Sequence, residues 1–161
     1  MDLLIIRPIE PRDNEALARL IRQVLIEFDA NKPGTAFFDK TLDTLSEVFT
    51  VKGSGYWVAE ENNILIGGAG IYPTEELPEG YCELVKLYLR ADARGKGIGK
   101  KLLDTCFSSA RITDYTHMYL ETTPELNAAI SIYKRAGFTR LRQPLGNSGH
   151  YYCTIRMVKK L

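Results

Sequence analysis

The feature that most constrains this chain is a glycine-rich, basic run at residues 94–99, which joins an apolar segment to an amphipathic helix. We expect its three glycines to lie in the first turn of that helix, where glycine is normally a poor residue because it loses much backbone entropy on folding. Glycine is favoured there when backbone N–H groups close around an anion. The basic residues Arg94, Lys96, Lys100 and Lys101 oppose the helix dipole unless an anion is bound. The run therefore predicts a phosphate site.

Two other phosphate-binding motifs are absent from the sequence. The Walker pattern (Gly, four residues, then Gly-Lys-Ser/Thr) does not occur, and no dinucleotide fingerprint follows a first strand. These absences disfavour a nucleotide triphosphatase and a Rossmann domain. A glycine triplet by itself also suits a loop with a solvated basic face.

Length and composition suit one compact domain covering residues 1–161. Hydrophobic residues make up 45% of the chain and charged residues 25%, which is ordinary for a folded protein. Lys and Arg number 21 against 20 Asp and Glu, so no net field draws the protein to nucleic acid or to an anionic membrane. We expect neither as a partner.

The cysteines and the first residues bear on the compartment. Cys82, Cys106 and Cys153 are odd in number and widely spaced, which argues against a disulfide framework and against a zinc module. The acid at Asp2 and the short apolar run before Pro8 do not fit a signal peptide, and no segment is long enough to span a bilayer. We expect a cytoplasmic protein without a metal.

Hydrophobic periodicity predicts the element order β-α-α-β-β-β-α-β-α-β-β, which implies a mixed sheet with helices on both faces. Asn62-Asn63 is expected to form a hairpin turn. The second helix is expected from the spacing of Phe38, Leu42, Leu45 and Phe49. The expected strands cover residues 3–7, 55–60, 64–72, 81–89, 118–121, 138–142 and 151–158.

Two spaced motifs resemble the GNAT superfamily of N-acetyltransferases. The family's pyrophosphate loop is Gln or Arg, two residues, Gly, one residue, then Gly or Ala, and Arg94, Gly97 and Gly99 match it. Residues 127–138 are similar to the family's helix with Asn near its start, Tyr near its end and Gly-Phe opening the next strand. The resemblance is strong over residues 81–140. It implies an α/β (α+β) fold whose mixed, mostly antiparallel sheet has about seven strands, helices on both faces and a central splayed strand pair.

The resemblance also implies an activity, the transfer of an acetyl group from acetyl-CoA to a primary amine. Direct attack in a ternary complex is expected, with no acyl-enzyme. The acceptor is implied to be a small-molecule amine or a protein amine. The sequence does not distinguish these, because neither residues 14–49 nor residues 145–150, which would shape the acceptor pocket, carry a recognisable motif. A homodimer is a further possibility. The competing hypothesis is a non-catalytic acyl-CoA-binding or sensing domain.

The family's coenzyme-binding positions carry over to this chain residue by residue. Backbone groups of Leu87 and Leu89 are implied to bond the pantetheine arm, and one N–H is implied to stabilise the oxyanion of the tetrahedral intermediate. The amides of residues 95–100 are implied to bind the pyrophosphate. Asn127 is implied to form a hydrogen bond with the pantetheine amide. Alternatively, it is a polar residue that satisfies backbone groups at the start of its helix. The complete implied set is Leu87, Tyr88, Leu89, Arg94, Gly95, Lys96, Gly97, Ile98, Gly99, Lys100, Asn127 and Tyr133.

Glu83 and Tyr133 are the catalytic candidates. A protonated amine needs a base, and Glu83 has a register similar to the catalytic carboxylate of the family's histone-modifying members. It is four residues from Leu87, roughly 13 Å at about 3.3 Å per residue, so it would act through ordered water; a solvent-facing strand residue is the alternative. Tyr133 would protonate the leaving thiolate, or it is a core aromatic with a satisfied hydroxyl.

His150 and Cys153 are close enough in sequence to suggest a thiol nucleophile. Three residues along a strand would direct them to opposite faces, and amine transfer needs no covalent enzyme intermediate. We therefore expect no nucleophilic role for the pair. His150 is a candidate for lining the acceptor pocket.

Overall fold

The computed structural model describes residues 3–161, so Asp2, which argued against a signal peptide, lies outside the described residues. Within that range the helices are α1 (Asn14–Glu27), α2 (Leu45–Val48), α3 (Ile98–Ile112) and α4 (Asn127–Arg135). No helix of residues 3–161 is both long and apolar enough to cross a membrane. The strands are β1 (Leu4–Pro8), β2 (Gly55–Glu61), β3 (Ile64–Tyr72), β4 (Tyr81–Leu89), β5 (His117–Thr122), β6 (Thr139–Leu141) and β7 (Ile155–Lys160).

The seven strands form one sheet in the order β1-β2-β3-β4-β5-β7-β6. Neighbours pair antiparallel except β4 and β5, which pair parallel. Parallel neighbours need a crossover connection, and α3 provides it. The predicted mixed, mostly antiparallel sheet is confirmed.

Helices cover both faces of the sheet, as β2 shows. Tyr56 and Val58 pack in the apolar cluster that contains α1, whereas Ala59 packs in the cluster that contains α3. Successive side chains of a strand point to opposite faces, so α1 and α3 lie on opposite sides. The apolar stripes predicted for both helices are buried.

The turn between β2 and β3 is the predicted hairpin. Asn62 and Asn63 have φ angles of 52° and 66°. Asparagine tolerates this left-handed region better than most residues, and two-residue hairpin turns require it. The prediction from the Asn pair is confirmed.

The helix predicted over residues 38–49 does not form as one element. The segment folds as 3₁₀ turns at Ala36–Phe38 and Leu42–Thr44, followed by the single turn of α2. Asp39 is extended, with φ −61° and ψ 126°, and this breaks the helical hydrogen-bond ladder. Leu42 and Leu45 are still fully buried, but Phe38 is 56% exposed, so the apolar spacing predicted burial at two of its four positions and the helix wrongly.

The last strand begins later than predicted. Residues 150–153 close a turn in which the Cys153 N–H donates to the His150 carbonyl at 3.0 Å, and β7 starts only at Ile155. The expectation that His150 and Cys153 lie on opposite faces of a strand is therefore wrong, because neither residue is in a strand.

Candidate active site

The parallel strands β4 and β5 stay paired over only part of their length. Residues 81–83 pair with residues 117–119, and residues 84–89 have no partner on β5. The two strands diverge beyond this point and open a cleft of about 990 Å³. The predicted splayed central pair is present.

The main chain of β4 directs the predicted amides into this cleft. The Arg90 N–H donates to the Ile66 carbonyl of β3 at 2.8 Å. Successive residues of a strand direct their N–H groups to alternate sides, so Leu87 and Leu89 direct theirs away from β3. Leu87, Tyr88 and Leu89 all line the cleft, and the Tyr88 side chain also packs against the cluster around α1. Both amides therefore face the cleft, and their bonds to the pantetheine arm stay a prediction.

The glycine-rich run forms a cradle before α3 and not the helix's first turn. Gly95 and Gly97 have φ angles of 76° and 80°, and α3 begins at Ile98. Positive φ angles cannot continue a right-handed helix, so the expectation that all three glycines lie inside the helix is wrong. Only Gly99 does. Left-handed residues at a turn also gather backbone N–H groups on one side, as in anion-binding nests.

This cradle fits an anion. A Cβ on Gly95 or Gly97 would meet no atom within 4 Å, so the space above both residues is open. The Lys101 N–H donates to the Gly97 carbonyl at 3.2 Å, and no side chain caps the helix. The N–H groups of residues 98–100 are therefore left without helical partners. The Ile98 side chain is buried, so its contribution is limited to the amide.

Arg94 fastens the cradle to α1. Its guanidinium donates to both Glu27 carboxylate oxygens and to the Leu89 carbonyl, and it lies 4.8 Å from the centroid of the Phe28 ring. The Arg94 hydrogen bond also lowers the pKa of Glu27. These contacts give Arg94 a structural role beside its predicted coenzyme contact.

The lysines around the cradle are exposed. Lys100 pairs with Asp104 at 2.9 Å, but both side chains are more than half exposed, and such surface pairs are weak. Lys96 is exposed as well. Both ammonium groups can therefore move toward an anion bound at α3.

Glu83 ends the paired part of β4 and is only 4% exposed. Thr74 Oγ1 donates to its Oε1 at 2.6 Å. Burial raises the pKa of Glu83 to about 7; the Thr74 bond opposes the rise, and the charge of Glu121 adds to it. A carboxyl with this pKa accepts and releases protons near neutral pH. The alternative interpretation, a strand residue that faces solvent, does not fit this burial.

Glu121 is a second carboxylate at this end of the cleft. It lies on β5 and accepts hydrogen bonds from the Tyr119 hydroxyl at 2.6 Å and from the Ser148 hydroxyl. Sequence reasoning missed it. The available signal was an acid at the end of the strand predicted over residues 118–121, since ligand sites of such sheets lie at the carboxyl ends of parallel strands.

Asp39 joins its own segment to two others that are distant in sequence. It accepts hydrogen bonds from Lys86 Nζ at 2.7 Å and from His150 Nε2 at 2.8 Å. Burial raises the pKa of Asp39, but the His150 bond and the Lys86 charge outweigh it, and the pKa is lowered. His150 lines the cleft, as expected. No sequence signal indicated Asp39, whose partner His150 is 111 residues away.

Tyr133 combines the two interpretations that the sequence left open. Its ring is 7% exposed and packs against Phe138 at 5.9 Å between centroids. The residue also lines the cleft, and no hydrogen bond within residues 3–161 engages its hydroxyl. Burial raises the pKa of the phenol, so the proton is retained. The ring is a core aromatic, and the hydroxyl is uncommitted.

Asn127 is not brought to the cleft. It is the first residue of α4 and is exposed, whereas its neighbours Leu126 and Ala128 line the cleft. Its contact with the pantetheine amide stays a prediction.

Cys153 lines the cleft as a protonated thiol. Burial, together with the charges of Glu121 and Glu83, raises the pKa of the thiol to about 12. A thiol is a weak nucleophile until it ionises, and His150 is bound to Asp39. These contacts support the expectation that Cys153 is not a nucleophile.

Comparisons with known proteins agree with this geometry. The sequence model described as the acetyltransferase (GNAT) family matches residues 17–138. The chain is 39% identical over 159 residues to YjgM of Escherichia coli K12, an uncharacterised N-acetyltransferase, covering 98% of this chain and 95% of that protein. It is 32% identical over 123 residues to N-acetyltransferase 8B of Rattus norvegicus, covering 72% of this chain. The chain spans about half the length of that relative, 55%.

Solved structures show the same fold. A GNAT-family acetyltransferase from Staphylococcus aureus Mu50 superposes with a TM-score of 0.87 at 21% identity, covering 99% of both chains. An acetyltransferase of Salmonella typhimurium, solved with acetyl-CoA, has a TM-score of 0.75 at 19% identity, covering 99% of this chain and 94% of that one.

Proposed function

Because this chain belongs to the GNAT superfamily of N-acetyltransferases, and is therefore an acetyl-CoA-dependent acyltransferase, we propose that it acetylates a primary amine by direct attack in a ternary complex. The observation that carries the proposal is the cleft between β4 and β5. One end of the cleft has an anion cradle, and the other has a buried carboxyl whose pKa is about 7. The cradle suits the coenzyme, and the carboxyl suits deprotonation of the acceptor.

The cradle and the free edge of β4 form the coenzyme site in this proposal. The amides of residues 95–100 hold the pyrophosphate, with Lys96 and Lys100 adding charge. The amides of Leu87 and Leu89 bond the pantetheine arm along the splay. These roles are supported by the open space at Gly95 and Gly97 and by the unpaired amides of α3.

Glu83 and Tyr133 divide the proton transfers. Glu83 takes the proton of the attacking ammonium through ordered water, and the Leu87 amide stabilises negative charge on the thioester oxygen. Tyr133 keeps its proton at neutral pH and donates it to the departing sulfur. The pKa of about 7 at Glu83 also favours an active enzyme over a non-catalytic acyl-CoA-binding domain.

The acceptor end carries more acid than base. Within residues 3–161 neither Glu83 nor Glu121 forms a salt bridge; Lys86 and His150 act on Glu83 through their charges but are both bound to Asp39. Such a site attracts an ammonium group and disfavours an acceptor with a carboxylate beside its amine. Small-molecule amines and protein amines both meet this condition.

Acetyl-CoA is expected to raise the melting temperature of the protein. At about 100 times its dissociation constant, a ligand of the folded state adds about 2.7 kcal/mol, which raises Tm by roughly 5–10 °C for a chain of this size. Pantetheine, which lacks the pyrophosphate, should raise Tm much less. Differential scanning fluorimetry measures both shifts, and equal shifts would place the anchor outside the cradle.

The rate of acetyl transfer is expected to rise with pH around neutrality. Only the ionised form of Glu83 accepts a proton, and its pKa is about 7. The kcat/KM for the amine should therefore increase from pH 6 to pH 8, reaching about a tenth of its plateau value at pH 6. Pre-steady-state or steady-state rates across this range, in unmodified protein and in Glu83→Gln, provide the measurement.

The variant Glu83→Gln should lose this dependence along with most of the rate. Glu121→Gln is the matched control, because it removes a like charge that raises the pKa of Glu83. The pH–rate profile of Glu121→Gln should keep the shape of the unmodified protein's profile and move to lower pH. A Glu83→Gln profile with the same midpoint as the unmodified protein would assign the titration to another group.

A further inference from the structure

Lys86 interrupts β4 with a bulge. Its φ angle is 52°, in the left-handed region that residues other than glycine rarely adopt. Gly70 pairs with Val85 and Gly68 pairs with Tyr88, so β4 uses one more residue than β3 over this stretch. An extra residue in one strand is a β-bulge. A strained backbone of this kind persists when its surroundings hold it in place.

The bulge decides which amides of β4 face the cleft. One extra residue reverses the alternation of N–H directions along the rest of the strand. The Leu87 and Leu89 amides therefore face the splay, and without the bulge they would face β3. The coenzyme edge of β4 depends on the conformation of Lys86.

Two contacts from outside β4 hold Lys86. The hydroxyl of Tyr56 donates to the Lys86 carbonyl at 2.7 Å, and Tyr56 is 2% exposed. The Lys86 ammonium donates to Asp39 at 2.7 Å, and the two side chains are 11% and 22% exposed. Because both side chains are mostly buried, solvent screens this ion pair less than it screens a pair on the surface.

The position of Asp39 is set independently of β4. Its backbone N–H donates to the Ala36 carbonyl at 3.1 Å, and its carbonyl accepts from the Leu42 N–H at 3.2 Å. Its carboxylate also accepts from His150. The residue is thus a fixed anchor for the Lys86 ammonium.

We propose that Asp39 is a positioning residue for acetyl transfer, which holds the β4 bulge through Lys86 and so directs the Leu87 amide into the cleft. This inference rests on the proposed function, in which that amide stabilises charge on the thioester oxygen. Oxyanion donors act only when they are aligned, and small displacements in such a site cost large factors in rate.

Asp39→Asn keeps the shape of the side chain and removes its charge. We expect kcat to fall by about 10- to 30-fold, because the Leu87 amide is displaced, while acetyl-CoA affinity changes by less than about threefold, because the cradle is unaffected. Kinetics use acetyl-CoA and whichever aliphatic diamine or lysine-containing peptide the unmodified protein acetylates fastest. Asp43→Asn is the control: Asp43 lies in the same connecting segment and pairs with Arg22 on the surface, so neither quantity should change.

A second substitution tests whether Asp39 acts through the bulge. Glycine adopts positive φ angles without strain and valine does not. In the Asp39→Asn background, Lys86→Gly should therefore recover at least about threefold in kcat, and Lys86→Val should not. If the glycine double variant is as slow as Asp39→Asn alone, or if Asp39→Asn raises only the KM of the amine, the proposal is overturned.

Amide resonances of the ligand-free protein separate this proposal from the proposed function. Asp39→Asn should shift the ¹H–¹⁵N signals of residues 86–88 and leave those of residues 95–100 in place. Unshifted signals in a variant that still transfers acetyl groups would refute the positioning role alone. If the signals shift but the unmodified protein acetylates no amine, Asp39 does hold the bulge, but the proposed acetyltransferase function is refuted. The role of Asp39 in catalysis is then refuted as well.

Discussion

Replacing Gly97 with valine is expected to abolish acetyl-CoA binding while leaving the fold largely intact. Gly97 has a φ of 80° and immediately precedes α3, where the backbone must approach the pyrophosphate. A branched side chain there occupies the anion space and disfavours the left-handed backbone. Loss of two or three charge-assisted hydrogen bonds should weaken binding by about 100-fold or more. Isothermal titration with acetyl-CoA measures the change.

The fold should survive because the backbone at Gly97 is open where a side chain would begin. A Cβ at Gly97 has nothing within 4 Å, so the stability cost is that of the strained backbone, about 1–2 kcal/mol. Gly149→Val is the matched control. Gly149 has a φ of 78° and equally open surroundings, but it lies in the loop at the other end of the cleft. It should suffer the same strain and bind acetyl-CoA normally; normal binding by Gly97→Val would locate the phosphate site elsewhere.

Removing the hydroxyl of Tyr133 is expected to slow turnover with little effect on stability. Tyr133→Phe keeps the ring that packs against Phe138, and the hydroxyl has no hydrogen-bond partner to lose within residues 3–161. If the phenol protonates the departing thiolate, kcat should fall by roughly 10- to 1,000-fold with acetyl-CoA affinity unchanged. Rates are measured under single-turnover conditions, so that product release does not mask the chemical step.

Two further variants separate the acid from the packing role. Tyr133→Ala should lose about 3–5 kcal/mol of unfolding free energy, because it empties a buried ring site. Tyr115→Phe is the control for a lost hydroxyl: it removes a bond to the Gly53 carbonyl, away from the cleft, and should cost about 1 kcal/mol with kcat unchanged. Unchanged single-turnover rates in Tyr133→Phe would leave solvent as the proton donor.

Local patterns predicted the parts of the molecule that depend on neighbouring residues. The Asn62-Asn63 turn was predicted because its positive φ angles follow from two adjacent side chains. Residues 38–49 show the limit of this reasoning. Their apolar spacing identified Leu42 and Leu45 as buried, but spacing does not report the extended backbone at Asp39 that divides the segment into short turns.

Sequence patterns predicted the order of strands and helices, a phosphate site in the run at residues 94–99, and Glu83 and Tyr133 as catalytic candidates, because each follows from spacing along a short stretch of chain or from family motifs. The cradle's position before α3 and the environment of the two candidates came from the tertiary structure. The pKa of Glu83 depends on burial and on Glu121 of another strand, and the bulge at Lys86 depends on contacts with Tyr56 and Asp39. Desolvation and long-range hydrogen bonds join residues that are far apart in sequence, so no local pattern records them.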